Sequence, residues 1–388
     1  MGKNLRDNNF FILSGLNLSD NNRGTAALGY GAFSFLEEKG YINKKQELLQ
    51  IKFTKRFWKN QDSKSEVVVN GRSWRINTVY FFSLYRRLCF SFGIVIPFSK
   101  LWRYMNKVEF VAAINGGDGF SDIYNTQLFK SRLSDTLIAM AAHVPVIQLP
   151  QTLGPFSEGN NYNLALKILR YSRMIFVRDD KFSQELTQNG LKFELTKDLS
   201  AFMKPEPWDI KIAPNSVGIN ISGLAYSNSF RTLSGQFEYY PILIDRIIRL
   251  FQGKGLTVYL IPHSYNYRTP ENSNDDMVVS REAYEKLSNK SNVILVDRDL
   301  TSPQVKYVIS QMSFFCGTRM HANFAAIYTK VPVFGLAYSY KFEGAFNSNG
   351  LNGSKQTVMI NNITKDDVGN IVNKIDDFYN SIMEGRCV

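Results

Sequence analysis

The sequence predicts a two-domain α/β protein whose parallel sheets are covered on both faces by helices. Two observations carry this reading. Apolar strands recur along the chain, each ending in a polar or glycine-bearing loop that feeds a helix. The 388 residues also exceed the roughly 250–300 that one core supports, and a proline-bearing break at Met203–Ser216 divides them. The expected domains are 1–205 and 206–363, followed by a C-terminal helix and tail over 364–388.

The elements follow in order. Asn9–Leu13 is a buried strand running into the loop from Ser14 to Gly24, and Thr25–Lys39 is a helix with Gly40 as its C-cap. Phe110–Ile114 is a strand ending in Asn115-Gly116-Gly117-Asp118. Ser134–Ala142 is helical, and Val144–Leu149 is a strand ending near Gln151. The Asn161–Tyr171 helix leads to the strand Met174–Val177, which ends at Arg178. Past the break, strands Val217–Ile221, Leu256–Ile261, Asn292–Val296, Ser313–Cys316 and Val331–Leu336 alternate with helices such as Tyr240–Gly253 and Ser302–Ser310. Thr364 caps a last helix with Asp366 and Asp367 in its first turn.

The net charge is +12, and 50–110 hold nine of those charges, with twelve basic residues against three acidic. Aromatic residues are interleaved with them. Three readings stand for 50–107: a core helix with a solvated basic rim, an anionic membrane surface or lipid-linked substrate, or nucleic acid. No nucleic-acid-binding motif supports the last, so no nucleic-acid partner is expected. The longest uncharged apolar run, Leu88–Ser99, is too short for a spanning helix, and Met1–Asn9 is polar with no apolar signal segment. The expectation is a soluble or peripheral protein on the cytoplasmic side of the membrane. Cys89, Cys316 and Cys387 show no metal-ligand or disulfide spacing, so no metal is expected.

Ligands of open α/β sheets bind at strand C-termini, where the polar residues of this chain collect. Arg319-Met320-His321 follows an apolar strand and opens a helix. Arginine offers a planar fork to carboxylate or phosphate, histidine carries a proton near neutral pH, and the helix end adds N–H donors. Arg178 stands in the same position after Ile175-Phe176-Val177; its alternative is an ion pair with Asp179 or Asp180. Asp275-Asp276 reads as loop.

At these residues the chain resembles the polysaccharide pyruvyl transferase family. The resemblance is carried by Asn115-Gly116-Gly117, Gln151-Thr152-Leu153-Gly154-Pro155-Phe156, Val177-Arg178-Asp179 with Ser183, Asp198 in Lys197-Asp198-Leu199-Ser200, Gly317-Thr318-Arg319-Met320-His321, and Val331-Pro332-Val333 with Tyr338 and Lys341. The chain departs where the family has Asn-x-Gly-Asp: here it is Asn22-Arg23-Gly24-Thr25. The resemblance implies two Rossmann-like domains facing a cleft, as in GT-B glycosyltransferases. It implies transfer of pyruvyl from phosphoenolpyruvate to two hydroxyls of a sugar, giving a cyclic ketal on a surface-polysaccharide precursor, lipid-linked by expectation, with no cofactor beyond that co-substrate. Arg178, Arg319, Met320, His321 and Lys341 are the implied donor-binding residues, and His321, Arg319 and Asp118 the catalytic set. Asp20, Asn22, Asn115, Gly116, Gly117 and Gln151 are assigned to the acceptor. Asp118 and Asp20 are candidate bases by position. A nucleotide-sugar glycosyltransferase and a non-catalytic saccharide- or membrane-binding protein are the alternatives. The first lacks an acid placed for a ribose in the second domain, and the second has no need of the anion site.

Overall fold

The computed structural model describes residues 9–117, 119–123 and 125–385. The chain forms two compact units, Met1–Asn17 with Leu28–Met203, and Leu18–Ala27 with Lys204–Val388.

The first unit contains β1 (Phe10–Ser14), most of α1 (Arg23–Glu38), β2 (Glu47–Thr54), β3 (Ser63–Val69), β4 (Arg72–Phe82), α2 (Ser83–Phe92), α3 (Lys100–Met105) and β5 (Val108–Ala113). These are followed by α4 (Thr126–Arg132), α5 (Ser134–Ala141), β6 (Val146–Gln151), α6 (Gly159–Tyr171), β7 (Met174–Val177), α7 (Ser183–Gln188) and β8 (Glu194–Leu195). The sheet runs β3-β4-β2-β1-β5-β6-β7-β8, and only β3 is antiparallel, to β4. That hairpin turns at Asn70-Gly71, both with positive φ, the backbone that a tight Asn-Gly turn requires.

The stretch 50–82, one reading of which is a core helix, is instead three strands and a short turn of 3₁₀-helix. Its aromatics build the sheet's core: Trp74 and Phe81 are buried, and Trp74 packs on Phe11 and Phe33. Two of its strand cations are matched by acids, Arg72 with Glu37 and Arg75 with Glu47, and Asp62 pairs with Lys100 of α3.

The second unit holds β9 (Ser216–Asn220), α8 (Gly223–Ser227), α9 (Tyr240–Gly253), β10 (Thr257–Leu260), α10 (Asp276–Lys286), β11 (Val293–Leu295), α11 (Ser302–Ser310) and β12 (Phe314–Gly317). It ends with α12 (Met320–Tyr328), β13 (Val333–Ala337), α13 (Lys341–Asn347), α14 (Gly353–Gln356), β14 (Thr357–Met359) and α15 (Lys365–Met383). Its six strands are parallel in the order β11-β10-β9-β12-β13-β14, the Rossmann order. Neighbouring strand residues feed different layers: Val258 and Leu260 pack into one apolar cluster, Tyr259 and Ile261 into the other. A sheet covered on both faces needs such continuous apolar runs. The C-terminal helix α15, capped by the Thr364–Asp367 box, inserts Val368, Ile371, Ile375 and Tyr379 into the first cluster and is part of this unit.

Two helical glycines give opposite expectations. A Cβ on Gly31 in α1 would lie 1.8 Å from the Leu199 carbonyl oxygen, whereas one on Gly369 in α15 meets nothing within 4 Å. Gly31→Ala should therefore destabilise the protein by more than about 3 kcal/mol, since backbone meets backbone there. Gly369→Ala should stabilise it by about 0.5–1 kcal/mol. Denaturant unfolding followed by circular dichroism checks both; similar small effects would remove the Gly31 contact from the account.

Candidate active site

In the second unit the strand order reverses between β9 and β12, and ligands of such sheets bind where it does. Asn220 ends β9 and Arg319 follows β12. Asn220 Oδ1 accepts the Arg319 backbone N–H (2.8 Å). The guanidinium is held by Asp276, the first residue of α10, which is fully buried. Arg319 Nε and Nη2 donate to Asp276 Oδ1 at 3.0 and 2.7 Å, and Nη2 also donates to the Asn274 carbonyl and side-chain oxygens. That leaves Nη1 as the nitrogen not engaged by these two residues. Asp276 further accepts from Gly223, His263 and Ser264 N–H and from Asn220 Nδ2. Burial by itself opposes charge on Arg319, and Asp276 outweighs it, holding the guanidinium protonated.

His321 lies one residue into α12, whose N-terminus carries no side-chain cap. Its ring packs edge-on against Phe324 at 5.5 Å. It also lies against Gly24, where a Cβ would come within 2.6 Å of His321 Nδ1, so only glycine admits this approach. Gly24 is delivered by a clamp around Arg23. Arg23 Nε donates to the Leu300 carbonyl (2.7 Å), Nη2 pairs with Asp299 (3.0 Å), and the guanidinium lies over the Tyr265 ring at 4.2 Å. Ser302 Oγ donates to the Arg23 carbonyl, and Arg23 N–H donates to the carbonyl of His263. His263 itself is buried, with no hydrogen bond to Nδ1 among the described residues.

The first unit has its own switch point, between β1 and β5. Asn115, just past β5, is 2% exposed, and neither its Oδ1 nor its Nδ2 has a hydrogen-bond partner among the described residues. Gln151, fully buried at the end of β6, donates from Nε2 to Ala113 and Gln148, while its Oε1 has no partner among the described residues. Arg178, past β7, donates from Nη1 to Asp198 (2.6 Å) and from Nε to Thr152 Oγ1 (3.0 Å). Asp198 is buried and fixed by the N–H and hydroxyl of Ser200. Gly117, at φ +83°, lets Arg178 in: a Cβ there would sit 3.1 Å from its Nη1. Asp135, in the first turn of α5, has its carboxyl pushed up to about 6 by burial, with the Ser14 hydroxyl at the end of β1 opposing the shift.

The profile of the polysaccharide pyruvyl transferase family matches residues 22–340. The chain belongs to that family. No curated protein matches it by sequence. Among solved structures, the UDP-GlcNAc 2-epimerase of Neisseria meningitidis is similar, with 12% identity, 97% of this chain and 91% of that chain covered, and a TM-score of 0.50. A putative UDP-N-acetylglucosamine 2-epimerase of Listeria monocytogenes gives 10% identity, 96% and 87% coverage and a TM-score of 0.53. The UDP-GlcNAc 2-epimerase of Methanocaldococcus jannaschii gives 8%, 95% and 91%, and 0.50. At these identities the likeness establishes the GT-B-type fold alone.

The structure corrects several sequence readings of this pyruvyl transferase family member. Asp20 and Asn22, read as part of the first domain, belong to the second unit because the Arg23 clamp holds Leu18–Ala27 there. Asp20 Oδ1 accepts the Asn22 N–H, and Asn22 Oδ1 accepts the Gly24 N–H, so both build the loop. Arg178 pairs foremost with Asp198, with Asp179 more distant at 3.9 Å. Asp275 and Asp276 are a helix cap and its first residue rather than loop. Met320 packs into the apolar layer beside α12. Lys341 opens α13, and among the described residues no hydrogen bond or ion pair joins its side chain to Arg319 or His321. Gly116 shares the positive-φ turn with Asn115 and Gly117 and lies against Arg132. Asp118 lies outside the described residues. Asp276, Arg23 and Asp135 were missed. The pair Asp275-Asp276 before the apolar Met277-Val278-Val279 is an N-cap signal that could have pointed to the first.

Burial, and then the positive charges of His321, Arg23 and Arg319, hold the His263 pKa well below the usual 6.5. The unfolded chain takes up this proton below about pH 6.5 and the folded chain does not, so stability present at higher pH is lost as pH falls. The thermal midpoint should drop from about pH 7.5 to about pH 5.5, and His263→Asn should flatten that slope. An unchanged slope would mean that His263 is not the group responsible.

Proposed function

We propose that the protein transfers the pyruvyl group of phosphoenolpyruvate to two hydroxyls of one sugar, forming a cyclic ketal on a lipid-linked surface-polysaccharide precursor and releasing phosphate. The observation that carries this reading is Arg319, locked by Asp276 beside His321 at an uncapped helix N-terminus. Phosphoenolpyruvate is a small polyanion, and a fixed guanidinium with helix N–H groups suits its carboxylate or phosphate. Family membership supports pyruvyl transfer; the donor, ketal and lipid linkage are our assignment. The scheme calls for no further cofactor.

His321 as imidazolium gives its proton to the methylene carbon of the enol, which becomes the methyl group while C2 becomes electrophilic. One sugar hydroxyl adds to C2. The second displaces phosphate, whose C–O bond breaks. Of the two hydroxyl protons, one restores His321 and the other leaves with the phosphate. Transition-state charge at C2 and on the departing phosphate is what Arg319 and the helix end are placed to meet. Arg178 is given the same donor by family resemblance.

On the acceptor side, Asn115 and Gln151 present buried polar atoms without partners among the described residues, which is costly unless a ligand's hydroxyls complete them.

The test is incubation with phosphoenolpyruvate and a panel of lipid-linked and free saccharides, read by mass spectrometry. A product heavier by about 70 Da, with matching phosphate release, is expected from this group transfer. Phosphate release that needs no acceptor, or no product across the panel, would overturn the reading. His321→Asn should lower kcat by at least about a hundredfold, with phosphoenolpyruvate binding retained. Arg319→Lys should weaken donor binding, because lysine cannot keep both the Asp276 bonds and a free nitrogen.

A further inference from the structure

We propose that α2 and the segment after it form a docking surface for an anionic lipid bilayer. This stands independently of the chemistry above. Of the fourteen large hydrophobic side chains exposed among the described residues, five fall between Leu84 and Phe98: Leu84, Phe92, Ile94, Ile96 and Phe98. Phe98 is 81% exposed.

The segment is built to hold them outward. On α2, Cys89 is buried, and Tyr85 and Phe90 pack against the core of the first unit. Leu84, Arg86, Arg87 and Phe92 are exposed. Gly93, left-handed at φ 64°, ends the helix. Val95 then returns to the core as an anchor, 6% exposed, between the outward Ile94 and Ile96. Phe98 also takes a positive φ of 64°, uncommon for an aromatic residue, and its ring lies on Trp102 at 5.2 Å.

Charge selects the occupant. From Ser83 to Phe98 there is no acidic residue. Arg86 and Arg87 are exposed and form no ion pair among the described residues, unlike Arg72 and Arg75 of β4. Unpaired arginines beside exposed aliphatic and aromatic side chains match a bilayer with anionic headgroups over acyl chains. Nucleic acid would use the arginines and the rings, but bases do not stack on Leu84, Ile94 or Ile96. Two copies of this face would bring Arg86 and Arg87 against their own images with no acid to compensate. No helix among the described residues is long and apolar enough to cross a membrane, so α2 would lie in the headgroup plane.

The test is flotation of the full chain with vesicles of mixed phosphatidylglycerol and phosphatidylcholine, against vesicles of phosphatidylcholine alone. Binding to the anionic vesicles at low salt is expected. Phe92→Ser/Ile94→Ser/Phe98→Ser should abolish it with the thermal midpoint unchanged, because all three side chains are exposed. Arg86→Gln/Arg87→Gln should weaken it about thirtyfold and remove most of its salt dependence. The proposal is overturned by failure of the wild type to float, by equal binding to both vesicle types, or by a triple variant that floats normally. It is also overturned if the native protein is a dimer that the triple variant turns into a monomer, since the face then serves self-association.

Discussion

A carboxylate wholly removed from water organises the second unit's site. Placing such a charge in protein costs several kcal/mol unless it is met by good partners. Asp276 meets it with backbone N–H groups from Gly223, His263 and Ser264, the amide of Asn220 and the guanidinium of Arg319. The end of β9, the start of α8, the end of β10 and the segment after β12 are thereby tied to one point. Arg319 is thus a cation whose position is set before any substrate arrives. Loss of either partner leaves a buried charge uncompensated, typically a 3–5 kcal/mol loss.

The first unit reaches the same solution with other parts. Arg178 ends a strand as Arg319 does, and a buried aspartate from elsewhere in the chain, Asp198, fixes it. Each unit also spends a glycine on access: Gly117 beside Arg178, Gly24 beside His321. In both, a paired acid fixes the arginine; the missing methyl group admits Arg178 itself in the first unit and His321 in the second.

Much of this was legible in the sequence. Apolar runs ending in polar loops gave most of the strands, because strands buried on both faces read as continuous hydrophobic stretches. Arg178 and Arg319-x-His321 stood out because strand C-termini are where open sheets bind. The strands from Glu47 to Phe82 did not stand out, since an edge of the sheet half-open to water carries Lys52, Lys64, Arg72 and Arg75 among its apolar residues. The role of Asp276 was hidden by 43 residues of separation from Arg319. Asp135 needed the fold to show that burial, not sequence context, shifts its carboxyl. The placement of Leu18–Ala27 depends on Arg23 meeting Tyr265, Asp299 and Leu300, contacts that no local pattern encodes.

That last feature bears on how the protein can be taken apart. The chain enters the second unit for ten residues near its start, leaves it, and returns at Lys204. A fragment beginning at Lys204 would keep all six strands of its sheet and lack the peptide that covers Tyr265, satisfies the Leu300 carbonyl and lies against His321. Scission at Met203 therefore yields a C-terminal half with an uncovered histidine rather than an autonomous module. Reconstitution of that half calls for the early peptide to be supplied in trans.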